Sequence, residues 1–187
     1  CLLCDINGLI NLNKSMKAEK LICDSENITY DKGYIALWLE NFELPSAYNL
    51  NGEILSLKTS LHVSLLCVKN ITEAGSELEG KILNLFCTFL QDNKICFQEA
   101  TGELKLIIDA ERNRKSVIAM CTVQNLEKFI LQINERLDVK VSMQPAHITL
   151  YTLGENLGIG VDSFDKLKEM STSIEIPELL EVLGGLK

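Results

Sequence analysis

Two hydrophobic periods alternate along this chain, and the switches between them mark its elements. Tyr34-Ile-Ala-Leu-Trp-Leu39 is a strand-length apolar run closed by Asn41 and Pro45, and Leu61 to Val68 is a second. The period then lengthens. Leu78, Ile82, Leu85, Phe86 and Phe89 recur at helical spacing behind Ser76 and Glu79, which have the spacing of a capping box, so a helix is predicted over 76–90. Lys94–Glu99, Glu103–Asp109 and Lys115–Thr122 read as strands, with turns at Thr101-Gly102 and Glu111–Arg114. Leu126, Phe129, Ile130, Ile133 and Leu137 predict a second helix over 124–137. Val139–Val141 and Ala146–Leu153 are strands again, and Asp162 to Met170 is a short helix. Pro177 opens a last helix that stops at Gly184-Gly185. Residues 1–30 are weakly patterned and read as an extension to one domain over 31–187. The element order predicts an α+β fold with largely antiparallel sheets and flanking helices.

Composition narrows the classes. At 187 residues and 47% hydrophobic, the chain can bury a core without a metal or disulfide staple. No apolar run approaches the ~18 residues of a membrane span, so no membrane partner is expected. A net charge of −8 makes a poor general binder of polyanions, which argues against long duplex nucleic acid and leaves room for a small phosphate-bearing ligand. Seven cysteines is an odd number, and Cys67, Cys87, Cys96 and Cys121 sit inside apolar runs, where a free thiol acts as a small hydrophobe. Reduced thiols in a cytoplasmic protein are therefore expected. Cys1-x-x-Cys4 has the spacing of half a zinc site, with no second half to complete it, so no metal or cofactor is expected. The chain opens on Cys1 rather than Met, which leaves open an upstream segment.

The candidate chemistry lies in the only two histidines. One stands in Leu61-His62-Val63-Ser64-Leu65 and the other in Ala146-His147-Ile148-Thr149-Leu150. Both read His, β-branched aliphatic, hydroxyl residue, Leu. With 21 Ser and Thr, a hydroxyl two places after both histidines is expected about once in 80 chains of this composition. In a strand, positions i and i+2 share a face. His62 and Ser64 then project together, as do His147 and Thr149, with Val63 and Ile148 turned into a core. Tyr151 falls on the His147 face by the same alternation, as a stacking surface or as filler of a cleft floor. Two imidazoles and two hydroxyls around one ligand suit phosphodiester chemistry without a metal. One neutral His takes a proton from water, the other, protonated, supplies the departing oxygen, and Ser64 and Thr149 donate to phosphate oxygens.

The duplicated motif resembles the signature of the two-histidine (2H) phosphoesterase superfamily, which includes 2′–5′ RNA ligase-like proteins and cyclic phosphodiesterases. Leu61-His-Val-Ser-Leu-Leu-Cys-Val is similar to the first motif, Ala146-His-Ile-Thr-Leu to the second, and Tyr34-Ile-Ala-Leu-Trp-Leu to the opening strand. The likeness covers about residues 33–160. It implies a bilobal fold of two pseudo-twofold-related lobes around a central cleft, each supplying one His motif. It also implies hydrolysis of 2′,3′-cyclic nucleotides, short oligonucleotides or RNA-end phosphodiesters. A non-catalytic module binding a nucleotide or RNA end in the same cleft is the alternative. Several relatives carry an Arg soon after the second motif, where this chain has Tyr151-Thr152. Positive charge is then expected from Lys58, Lys69 or the Arg112/Arg114/Lys115 turn.

Overall fold

The computed structural model describes residues 20, 21, 23, 27–40, 43–154 and 157–184. Cys1-x-x-Cys4 and most of the expected extension lie outside them, as does Gly185. The described strands form one ten-stranded sheet in which every pairing is antiparallel. In chain order they are β1 (Lys20–Leu21), β2 (Ile28–Asp31), β3 (Tyr34–Leu39), β4 (Ala47–Leu50), β5 (Glu53–Leu57), β6 (Leu61–Cys67), β7 (Phe97–Asp109), β8 (Arg114–Val123), β9 (His147–Leu153) and β10 (Ser171–Ile174). The spatial order is β1-β2-β3-β6-β9-β8-β7-β10, with the β4–β5 hairpin branching from β9. Among the described residues four α-helices accompany the sheet: α1 (Glu77–Asp92), α2 (Leu126–Leu137), α3 (Phe164–Met170) and α4 (Pro177–Gly184).

One sheet face carries the main core. Phe86 and Phe89 of α1 close on Phe129 of α2 at centroid distances of 4.8 and 5.4 Å, and Leu179 and Leu183 of α4 join the same cluster. Ser76 caps α1 by accepting from the Glu79 N–H at 3.2 Å. The Glu79 carboxylate accepts from the Gly75 N–H and the Tyr30 hydroxyl, tying the helix start to β2. On the opposite face Ile107, Ile118, Met120, Ile159, Val161 and Leu167 form a second, smaller cluster under α3.

Several expectations change. Residues 28–31 belong to the sheet: Lys32 (φ 49°) and Gly33 (φ 83°) make a two-residue turn with both residues left-handed, which folds β2 back onto β3. Asn51 and Gly52 do the same for β4 and β5, a hairpin outside the expected elements. Thr101-Gly102 is not a turn. It is a bulge inside the continuous strand β7, where the pairing to β8 jumps between Ala100 and Leu104. Val139–Val141 forms no strand; the Asn134 side chain takes both the N–H and the C=O of Val141.

The expectation that all thiols are reduced is also corrected. Cys23 and Cys87 form a disulfide. The apolar run around Cys87 suggested burial, but on α1 the core stripe is Ile82, Leu85, Phe86 and Phe89. Cys87 sits about 100° round the helix from Phe86, at the edge of that stripe, where Cys23 reaches it. Disulfides persist in oxidising compartments, so the cytoplasmic expectation loses its basis in the cysteines. Cys67, Cys96 and Cys121 are free. Burial pushes the Cys121 thiol up to about 12. No helix among the described residues is long and apolar enough to cross a membrane.

Candidate active site

Val63 of β6 pairs with Ile148 of β9, and both are fully buried in the main core. Antiparallel register then sets Thr149 opposite His62 and His147 opposite Ser64, with all four side chains on the other face of the sheet. There they line a single cleft of about 410 Å³. The four candidate residues named from the two motifs are thus brought together.

The strands outside the pair supply each imidazole with a neighbour. His62 registers with Trp38 on β3 and His147 with Met120 on β8. The Trp38 ring lies 4.8 Å from that of His62, and its indole N–H donates to Thr29 Oγ1 at 2.8 Å. Thr29, itself almost wholly buried, therefore orients the ring that packs on His62. His147 donates from Nδ1 to the Pro145 carbonyl at 2.7 Å, which leaves Nε2 with the lone pair in the neutral ring. The Nδ1 of His62 is buried and has no hydrogen-bond partner among the described residues.

Both imidazoles titrate low. Burial, then the positive charge of Lys58 and then that of His147, pushes His62 down to about 4. Burial also lowers His147, partly opposed by its bond to the Pro145 carbonyl. Each ring is neutral at pH 7 unless an anion beside it restores the proton.

Cations reach the cleft from the segments that follow β2, β5 and β6 and from α3. Lys58 continues the β5–β9 pairing, its N–H donating to the Leu150 carbonyl at 2.8 Å, so its stem leaves the sheet beside Thr149. Lys69 stands 4.3 Å over the Tyr34 ring, and Lys32 and Lys166, paired with Asp31 and Asp162, also line the cleft. The other expected source of charge lies elsewhere. Arg112 and Arg114 pair with Asp109, and Lys115 with Glu53.

Tyr151 is corrected. It is fully buried in the main core, donates to the Pro45 carbonyl at 3.0 Å, and does not line the cleft. The cause is a register shift: Thr149 faces Ile118 and Tyr151 faces Val117, so β9 carries Leu150 as an extra residue. That bulge reverses the alternation after Thr149. β6 does the same after Ser64, with Ala36 facing Ser64, Ile35 facing Leu66, and Leu65 extra. The Leu three places after each histidine is in both motifs the bulged residue.

Several contributors were missed by the sequence reading. Trp38 was legible as the alternating face Tyr34, Ala36, Trp38 against buried Ile35 and Leu37. Thr29 enters across the β2–β3 hairpin, opposite Ala36, while Gln144 and the wall Leu157–Asp162 reach the cleft through contacts distant in sequence. Among the described residues no three His, Cys, Asp or Glu side chains converge as metal ligands.

Compared with protein-family models, with curated proteins and with solved structures, the chain matches none.

Proposed function

We propose that this chain is a metal-independent phosphodiesterase of the two-histidine type, acting on 2′,3′-cyclic nucleotides, short oligonucleotides or RNA ends. The observation that carries the reading is the Val63–Ile148 register pair, because it turns two separate sequence motifs into one group of two imidazoles and two hydroxyls. One neutral imidazole takes a proton from water as the oxygen attacks phosphorus. The bond from phosphorus to the ribose oxygen breaks, and that oxygen receives the proton of the other, protonated imidazole. The two rings end with their protonation states exchanged, and solvent resets them. Ser64 and Thr149 donate to the non-bridging oxygens, and the lysines around the cleft offset the negative charge.

The sheet is read as two lobes related by an approximate dyad through the Val63–Ile148 pair. Matching bulges at Leu65 and Leu150 support this, as do the matched neighbours Trp38 beside His62 and Met120 beside His147. A cleft of about 410 Å³ is of a size for one nucleotide rather than a duplex. The chemistry is independent of compartment, since it uses no thiol.

A nucleotide-binding module without turnover is the second reading. The low titration of both imidazoles favours it, because it leaves no imidazolium at neutral pH before an anion binds. One experiment separates the two. A panel of 2′,3′-cyclic nucleotides and a short 2′–5′-linked oligonucleotide is incubated with the protein in EDTA. Turnover supports the phosphodiesterase; saturable binding of the panel without turnover supports the module.

A further inference from the structure

After β9 the chain returns along the cleft as Leu157-Gly158-Ile159-Gly160-Val161-Asp162. Ile159 and Val161 are buried in the second cluster with Ile107, Ile118, Met120 and Leu167, so they anchor the segment to β7, β8 and α3. Gly158 and Gly160 alternate with them and line the cleft. Neither glycine has a left-handed φ, so backbone conformation does not call for glycine at either place. What distinguishes them is the space a side chain would take. Among the described residues, a Cβ at Gly160 would meet only the Tyr34 hydroxyl within 4 Å, at 3.9 Å. One at Gly158 would lie 2.9 Å from Thr149 Oγ1, 3.4 Å from its Cγ2 and 3.5 Å from its Cβ.

We propose that Gly158 is a positioning residue for Thr149: its bare Cα lies against the threonine side chain and fixes the rotamer that turns the hydroxyl into the cleft. Thr149 is β-branched and stiff at χ1, and its backbone is held between β6 and β8. The wall cannot back away without pulling Ile159 and Val161 from their cluster. A methyl at 158 is therefore relieved by rotation of Thr149 about χ1, which carries the hydroxyl off its line. That the hydroxyl meets phosphate rests on the function proposed above; that Gly158 sets its rotamer does not.

The test uses the full chain. Three-bond couplings to the Thr149 methyl carbon report its χ1 populations by NMR, in wild type, Gly158→Ala and Gly160→Ala. A changed Thr149 rotamer in G158A and an unchanged one in G160A are expected. The same Thr149 couplings in G158A as in wild type would overturn the proposal, whatever the chain's activity. On a substrate that is turned over, G158A lowers kcat at least about tenfold, on the scale of a misaligned phosphate donor. That loss vanishes when Thr149 is already Ala, because the added methyl then fills the space the threonine left. A G158A loss that persists in full in T149A would overturn positioning through Thr149. Should G158A not fold, the T149A/G158A double variant folds, and its failure to do so would also count against the proposal. A chain with no turnover on any substrate sinks the proposed function alone, and the couplings still decide the role of Gly158.

Discussion

Val63 and Ile148 face each other across β6 and β9, each wholly buried, one residue along from a histidine on either strand. Because antiparallel partners run in opposite directions, the pair sets each histidine beside the other motif's hydroxyl residue. Neither motif makes the site alone. The hydrophobic pair that closes the core on one face assembles the polar group on the other, so packing and chemistry are fixed by the same contact.

The depressed titration of His62 has a stability consequence with a definite sign. Histidine in the unfolded chain titrates near 6.5, and in the fold His62 titrates at about 4. Between those values the unfolded chain holds the extra proton. The stabilisation is full above pH 6.5 and is lost as pH falls toward 4, by about 3 kcal/mol in all. Urea unfolding at pH 7.5 and pH 4.5 should show a larger acid loss in wild type than in His62→Gln, by roughly that amount. An equal acid loss in the two proteins would contradict it. By the same shift, kcat/KM should follow a bell whose maximum lies below pH 6.5, since that ratio reports the free protein.

Tyr151 separates a core role from a cleft role. Tyr151→Phe removes the donor to the Pro45 carbonyl and nothing from the cleft. A loss of about 1 kcal/mol in stability is expected, with kcat within about threefold of wild type. A fall of a hundredfold in kcat at unchanged stability would put the ring back among the substrate contacts.

The disulfide makes its own prediction. Cys23 and Cys87 are 64 residues apart in sequence. Opening a loop of that length should cost about 4 kcal/mol on the chain-entropy account, without touching any side chain of the cleft. Alkylation and mass measurement before and after reduction should show two additional modified cysteines, and Cys23→Ser should lower the urea midpoint in oxidising buffer. A midpoint insensitive to reductant would contradict it.

Much of this architecture was readable because one face of each element is apolar. The stripe Ile82, Phe86, Phe89 on α1 and Phe129, Ile133 on α2 has one solution, packing on the sheet, and the helices formed near their expected bounds. The His-x-Ser/Thr faces were readable for the same reason, since Val63 and Ile148 can only turn inward. Strict alternation failed at Leu65 and Leu150, because a bulge depends on the partner strand's register and leaves little local mark. Thr101-Gly102 misled in the opposite direction: Gly102 with φ 78° serves a bulge in β7 as well as it would serve a turn. Asn51-Gly52 was a legible hairpin signal between short strands whose half-exposed pattern hid them. The Cys23–Cys87 bond joins a weakly patterned stretch to the flank of a helix, and no local pattern announces such a pairing.

The most direct test of the central claim is a double-mutant cycle on His62 and His147, with turnover of a 2′,3′-cyclic nucleotide measured in EDTA. If the two imidazoles act as one acid–base pair, His62→Ala and His147→Ala each lose at least about 10²-fold, and the double variant loses little more than either. Retention of activity within tenfold by either single variant, at wild-type stability, would contradict the account.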